Sequence, residues 1–283
     1  MDGKKMTSGY VIKKVIAGDT IDVYKYWAAR KPGLHLPRSG NVQITSAEQE
    51  LINRKNSRMK LEYLILANFR RDDIRLDLTY AGLEPTAETA KKELDKFLRK
   101  LRNKYHQSGN ELKWVATTEH RGHRVHHHLL LNGIGWNRAE YEKLWTWAKI
   151  NHRSYQNYDG GEDDAHNVAG YFVKETSQTF RKPGEIQKRR WRSSRNLVKP
   201  KIIKKSAHSK SWRDNPKPKK GYYIARVNNK PDNYGNPRQY YRMIRDEENE
   251  SIKEVGERNV HNTSCPAEIS RYRKGQGKHP KGP

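Results

Sequence analysis

The stretch Glu119-His120-Arg121-Gly122-His123-Arg124-Val125-His126-His127-His128-Leu129-Leu130-Leu131 sets the strictest limit on how this chain folds. A basic turn at Gly122 leads into Val125 and an apolar triplet, the pattern of a β-strand leaving a tight turn. Side chains on a strand alternate between faces, so His126 and His128 point one way and His127 the other. Two imidazoles one pleat apart on one face can hold a single divalent metal. Glu119 lies on the preceding strand, in Trp114-Val115-Ala116-Thr117-Thr118-Glu119. It shares that face only if the loop contains an even number of residues, since a slip of one residue moves a side chain to the other face. His126, His128 and Glu119 are therefore the candidate metal ligands. In a chain with twelve histidines the plainer alternative is a polar surface cluster. Three histidines running straight into a leucine triplet argue against it. A structural zinc site is disfavoured, because Cys265 is the sole cysteine and lies far along the chain.

The chain has 283 residues, enough for one large domain or a smaller one with extensions. Only 33% of it is hydrophobic, so not all of it can bury a core. A net charge of +26 points to a polyanionic partner, nucleic acid by default. An anionic membrane surface is the weaker alternative, since no basic amphipathic helix stands out. No apolar run is long enough to span a bilayer, and Met1-Asp2-Gly3-Lys4-Lys5 opens no signal peptide. With one cysteine, these features predict a soluble cytoplasmic protein.

Residues 10–27 alternate in apolar character around Gly18-Asp19 and predict a hairpin. Residues 30–44 are rich in Lys, Arg, Pro and Gly, as in a basic linker or DNA-facing arm. A helix is expected from the capping box Thr45-x-x-Glu48 to about Ala67, its Arg/Lys face either solvated or set against DNA. Ile74–Tyr80 alternates as a half-buried strand, and 86–106 carries a helical stripe at Ala90, Leu94, Phe97, Leu98 and Leu101. The strands at 112–119 and 124–131 follow. Then come a helix over Asn137–Ile150 with Leu144, Trp145 and Ala148 inward, and a strand around His152–Tyr158. This β-α-β-β-α-β order is the split βαβ pattern of an α+β, ferredoxin-like antiparallel sheet. In that topology the histidine strand is central, and its ligands are expected on an open face opposite the helices. A last helix, Asp164–Glu175, projects Tyr171 and Lys174 from one face, three residues apart. A tyrosine that merely packs is the plainer reading of that pair.

Taken together, these residues resemble a known family. His126-His127-His128 is similar to the His-hydrophobe-His motif of the HUH endonuclease superfamily, and Tyr171-Phe172-Val173-Lys174 to the Tyr-x-x-Lys motif that follows it. The nearest likeness is to rolling-circle replication initiators of filamentous phages and their relatives on plasmids and integrative elements. Leu76-Asp77-Leu78-Thr79-Tyr80 resembles the first-strand motif, Trp191–Leu197 a Ser-Arg-x-Leu segment, and Asn68-Phe69 the close of the N-terminal helix. The resemblance covers roughly residues 46–200, with an echo at Gly235–Ile244. His127 departs from it, standing where the family usually has a bulky hydrophobe. The resemblance implies that Tyr171 attacks a DNA phosphodiester to leave a 5′-phosphotyrosine and a free 3′-OH, with Lys174 stabilising charge. It implies Mg²⁺ or Mn²⁺ on His126, His128 and Glu119. It also implies single-stranded or hairpin origin DNA as substrate and a bacterial host cell supplying helicase and polymerase. Tyr155 and Tyr158 are rival nucleophiles, but neither has a lysine at helical spacing.

Three parts are expected: an N-terminal hairpin, linker and helix over 1–67, the core over 68–200, and a basic, partly disordered C-terminal extension over 201–283. Arg121 and Arg124 beside the turn, with Arg189, Arg190, Arg192 and Arg195 in the basic tail, are the candidate nucleic-acid contacts. Trp191 and Trp212 could stack bases there. Gly221–Ile244 could form a small hairpin around Asn233-Tyr234-Gly235, and residues 245–283 look disordered. Other functional classes stay open. A mobilisation relaxase or single-strand transposase would share the chemistry, although relaxases place the tyrosine before the histidines. A non-catalytic basic DNA-binding protein would need neither Tyr171 nor a metal. No Gly-x-x-x-x-Gly-Lys-Ser/Thr loop is present, so unwinding would fall to a host helicase.

Overall fold

The computed structural model describes residues 10–27, 47–82, 84–121, 124–156, 164–175, 189–207, 209, 211–231 and 235–246. The linker at 30–44, the Thr45 cap, Tyr158 and the tail beyond Asp246 lie outside the described residues. In chain order the elements are β1 (Val11–Ala17), β2 (Thr20–Tyr26), α1 (Ala47–Asn68), β3 (Ile74–Leu78) and α2 (Ala87–Gln107). They continue with β4 (Trp114–Arg121), β5 (Arg124–Leu131), α3 (Arg138–Glu142), β6 (Asn151–Ser154) and α4 (Ala165–Glu175). The last are β7 (Arg192–Ser193), β8 (Lys201–Ser206), β9 (Tyr222–Asn228) and β10 (Arg238–Arg245).

One antiparallel sheet runs β6-β3-β5-β4-β7, the split βαβ order with β7 added at one edge, and β5 is its middle strand. Helix α2 starts where Thr86 Oγ1 accepts the Thr89 amide. It buries Ala90, Leu94, Phe97, Leu98 and Leu101 against Leu76, Leu78, Ala116, Leu129 and Leu131 on one face of the sheet. Leu61, Ile65 and Phe69 with Val168, Ala169, Phe172 and Val173 cover Val115 and Leu130 on the other face. Covering both faces explains why Leu129-Leu130-Leu131 has no alternation: each is at most 1% exposed. It also corrects one expectation. The face carrying His126 and His128 is not open, because the apolar stripes of α1 and α4 are buried on it. Only its His126 end is left to solvent contact.

The expected helix over Asn137–Ile150 is much shorter. Asn137 and Glu140 form a capping box, but the helix ends at Glu142. From there the Trp145 indole donates to Thr79 O, the Ile150 amide donates to Glu142 Oε1, and the Ala81 amide donates to Trp147 O. These bonds tie the segment to the end of β3 and satisfy groups that a longer helix would have used within itself. Trp145 is buried as expected.

The second antiparallel sheet runs β8-β1-β2-β10-β9. The hairpin expected at the N-terminus and the strands expected within the C-terminal extension thus share one sheet. The β9–β10 hairpin forms within Gly221–Ile244 much as its tyrosine pattern suggests. Both sheets lie in one compact unit that ends at Arg245. At the β1–β2 turn Gly18 has φ +56°, and a Cβ there would come within 2.2 Å of Leu66 O. Only glycine lets this turn rest on α1.

Between the sheets lies a buried polar network. Arg242 Nε and Nη2 donate to Asp22 at 2.8 and 2.9 Å, and Nη2 also donates to Glu62 at 2.6 Å. Tyr63 donates to Asp22 at 2.8 Å, and His166 Nδ1 lies 3.0 Å from Glu62 Oε2. The network joins β2, β10, α1 and the first turn of α4. Burial raises the Glu62 carboxyl, but His166 and Arg242 beside it outweigh that and hold it below the ordinary glutamate value. No helix among the described residues is long and apolar enough to cross a membrane.

Candidate metal centre and nucleophile

The loop between β4 and β5 contains two residues, so the parity condition for Glu119 is met. Glu119 pairs directly with His126, and Thr117 with His128. Ligand atoms of Glu119, His126 and His128 all lie within 4.8 Å of one another. Glu119 and His128 are nearly buried, and His126 is half-buried at the solvent side. Two imidazoles and a carboxylate fit a divalent first-row ion or Mg²⁺ with coordination positions left for a ligand.

A second carboxylate orients the site. Asp77 pairs with His128 across β3 and β5, and its Oδ1 lies 2.7 Å from His128 Nδ1. That contact directs His128 Nε2 toward Glu119, 3.3 Å away. A carboxylate behind a histidine ligand fixes its tautomer and raises its basicity. Asn151 Nδ2 and Arg153 Nη2 donate to the other oxygen of Asp77 at 2.9 and 3.1 Å. Burial raises the Asp77 carboxyl, but His128, Arg153 and Arg75 outweigh it and hold it below the ordinary aspartate value.

His127 points to the opposite face, as alternation predicts, and is fully buried there. Its Nε2 lies 2.8 Å from Tyr80 Oη and its Nδ1 2.9 Å from Thr118 Oγ1. Burial foremost, then Glu93 and Glu84, pushes the Tyr80 phenol up, so it stays protonated and can donate to His127. With both ring nitrogens satisfied inside the core, His127 fills the place of a hydrophobe and is no metal ligand.

Helix α4 brings the candidate nucleophile to the same point. The Asn167 amide donates to Asp164 Oδ1 at its first turn, and Thr117 Oγ1 lies within hydrogen-bond reach of Phe172 O. Val168, Phe172 and Val173 are buried, so Tyr171 and Lys174 face outward as expected. Tyr171 Oη lies 3.3 Å from His128 Nε2, with the two rings edge to face at 4.9 Å. The Arg75 guanidinium sits 5.8 Å from the Tyr171 ring centre. The rival Tyr155 is fully buried between Asp72 and Asp73, with no access to a substrate.

The candidate nucleic-acid contacts divide. Arg124, Arg189 and Arg195 are exposed, and the Arg121 side chain lies outside what is described. Arg190 is buried and ion-paired with Glu50, so it braces the protein instead of facing solvent. Arg192 pairs with Asp95 at 2.5 Å and lies over the Trp114 ring. The segment after α4 is fastened to α1, since the Asn68 amide group bonds both backbone groups of Val198. Sequence reasoning missed Asp77 and Arg75 as parts of the site. The available signal was an aspartate in the middle of an alternating apolar strand.

Residues 74–180 match the family model of the ORF2-type replication-associated proteins. The matched segment runs from β3, which carries Asp77, through the histidine strand and past Lys174. It supports a role in replication. Searches among curated proteins and among solved structures found no match.

Proposed function

We propose, with the replication-associated match as premise, that this protein is a rolling-circle replication initiator of the HUH type. It would nick single-stranded or hairpin origin DNA and rejoin it through a phosphotyrosine. The observation that carries the reading is the 3.3 Å approach of Tyr171 Oη to Nε2 of His128, a candidate metal ligand. A helix face and a strand face from distant parts of the chain converge there.

His126, His128 and Glu119 would hold Mg²⁺ or Mn²⁺, which supplies charge neutralisation at the scissile phosphate. Asp77 keeps His128 in the tautomer whose Nε2 faces the site. Tyr171 is held in place by the His128 ring edge and the Arg75 guanidinium, so its oxygen starts near the reacting phosphate. Attack forms the Tyr171 Oη–P bond and breaks the P–O3′ bond; the phenol proton is lost and the 3′ oxygen leaves as a hydroxyl. Lys174, one helical turn on, supplies positive charge to the phosphate or phenolate. The phosphotyrosine keeps the bond energy, so a later 3′-OH can reverse the step and reseal the strand. The free 3′-OH is a primer for a host polymerase, with a host helicase opening the duplex.

The test is a gel of end-labelled single-stranded fragments of the protein's own replicon, incubated with protein and Mn²⁺ or Mg²⁺. A covalent adduct on the 5′-phosphate side, lost in Tyr171→Phe and with EDTA, is the expected result. Binding that persists in EDTA with no adduct on any fragment would replace this reading with that of a non-catalytic DNA-binding protein.

A further inference from the structure

The largest cavity lies away from the metal centre. It has a volume of about 1270 Å³ and opens between α1, the end of α2 and residues 189–196. Asn56 and Lys60 line it from one face of α1, Arg102 from α2, Trp114 from the start of β4, and Arg189 and Arg195 from the returning segment. Among the described residues, Lys60, Arg102, Arg189 and Arg195 are exposed and have no carboxylate within ion-pair distance. Four uncompensated cations around one concavity create a field that a polyanion relieves.

The walls are fixed before any ligand arrives. Trp191 Nε1 donates to Ser57 Oγ at 3.1 Å, Arg192 pairs with Asp95, Asn196 Nδ2 donates to Leu112 O at 3.2 Å, and Arg190 pairs with Glu50. Such preorganisation lowers the ordering cost of binding. Within the cavity Trp114 is 6% exposed, and its Nε1–H is buried without a hydrogen-bond partner. Strand β4 carries Trp114 at the cavity and Glu119 at the metal centre, five residues apart, roughly 17 Å along the strand. That is a span of a few nucleotides.

We propose that this groove binds single-stranded DNA flanking the scissile phosphate, with Lys60, Arg102, Arg189 and Arg195 on its phosphates and its bases turned in toward Trp114 and Asn56. The proposal rests on the nicking reading above and adds a second anchoring point to it. A recessed cavity with an indole donor and amides inside favours a strand whose base edges are free. A duplex, convex and with its bases paired, reaches only the rim.

The experiment measures binding of a 20-nucleotide oligothymidine to the full chain in EDTA, by fluorescence anisotropy across a salt series. In Arg102→Gln/Arg195→Gln the slope of log K against log salt should flatten by about 1.4, two phosphate contacts at about 0.7 each. A 5-iodouracil oligonucleotide should photo-crosslink to the peptide carrying Trp114. Tyr171→Phe should leave both results unchanged, which separates failure of the groove from failure of the nicking chemistry. An unchanged salt slope in the double variant, with no crosslink at Trp114, overturns the proposal even if the adduct assay succeeds. A duplex of equal length that binds more tightly, and loses as much in the double variant, overturns it in favour of duplex recognition.

Discussion

Replacing Arg242 with methionine removes the cation from a network in which every charged member is nearly dry: Asp22 is 1% exposed, and Glu62 and Arg242 are 5% exposed. Three hydrogen bonds go, two to Asp22 and one to Glu62. Removing one partner of a buried ion pair costs about 3–5 kcal/mol, because it leaves charge that water cannot reach. Here Asp22 keeps Tyr63 and Glu62 keeps His166, so the low end, about 3 kcal/mol, is expected. For a chain of this size, each kcal/mol moves Tm by about 2–4 °C, giving a fall of about 6–12 °C. Circular dichroism melts at low and high salt should give nearly the same fall, since buried pairs are poorly screened. The triple variant Asp22→Asn, Glu62→Gln, Arg242→Met should recover most of it, as no buried charge then lacks a partner. A fall below about 2 °C in the single variant would refute the reasoning, for it would rank this network with exposed salt bridges. Metal binding should survive in every variant, because the ligands ride on β4 and β5.

Three further predictions bear on the site and its supports. Asp77→Asn should weaken Mn²⁺ binding by about 10–100-fold in calorimetry while the fold persists, since it loosens the histidine behind the metal; unchanged affinity would deny Asp77 that role. His127→Leu should leave Mn²⁺ binding intact but cost about 1–3 kcal/mol in urea unfolding, because it strands the buried Tyr80 and Thr118 hydroxyls. Loss of metal binding there would mean His127 is a ligand after all. Glu62 has its folded carboxyl held below the ordinary value, so its stabilising contribution is complete above the unfolded glutamate pKa of about 4.3 and is lost as pH falls through the folded value. Urea midpoints should therefore drop less steeply below about pH 4.3 in Glu62→Gln than in the parent; parallel curves would contradict this.

The chain by itself determined what depends on near neighbours. A period of two puts His126 and His128 together and turns His127 away, and a two-residue turn brings Glu119 onto the same face. A helical period makes the α2 stripe and shows Tyr171 with Lys174. The order of these segments is enough for the split βαβ sheet. What depends on pairing between distant segments was decided only by the tertiary structure. Asp77 reaches His128 through the β3–β5 register, 51 residues apart, and Arg242 reaches Asp22 across 220 residues. The face of the histidines was closed by α1 and α4, whose stripes show that they must be buried but not against what. Helix α3 ends early because Trp145 and Glu142 find partners on other segments, an outcome that local propensity does not encode. Strands β8 to β10 have a basic composition suited to a solvated tail, yet they complete a sheet with the N-terminal hairpin. Strand pairing satisfies backbone groups whatever the side chains are, so the partner strand, and not the composition, settled where they went.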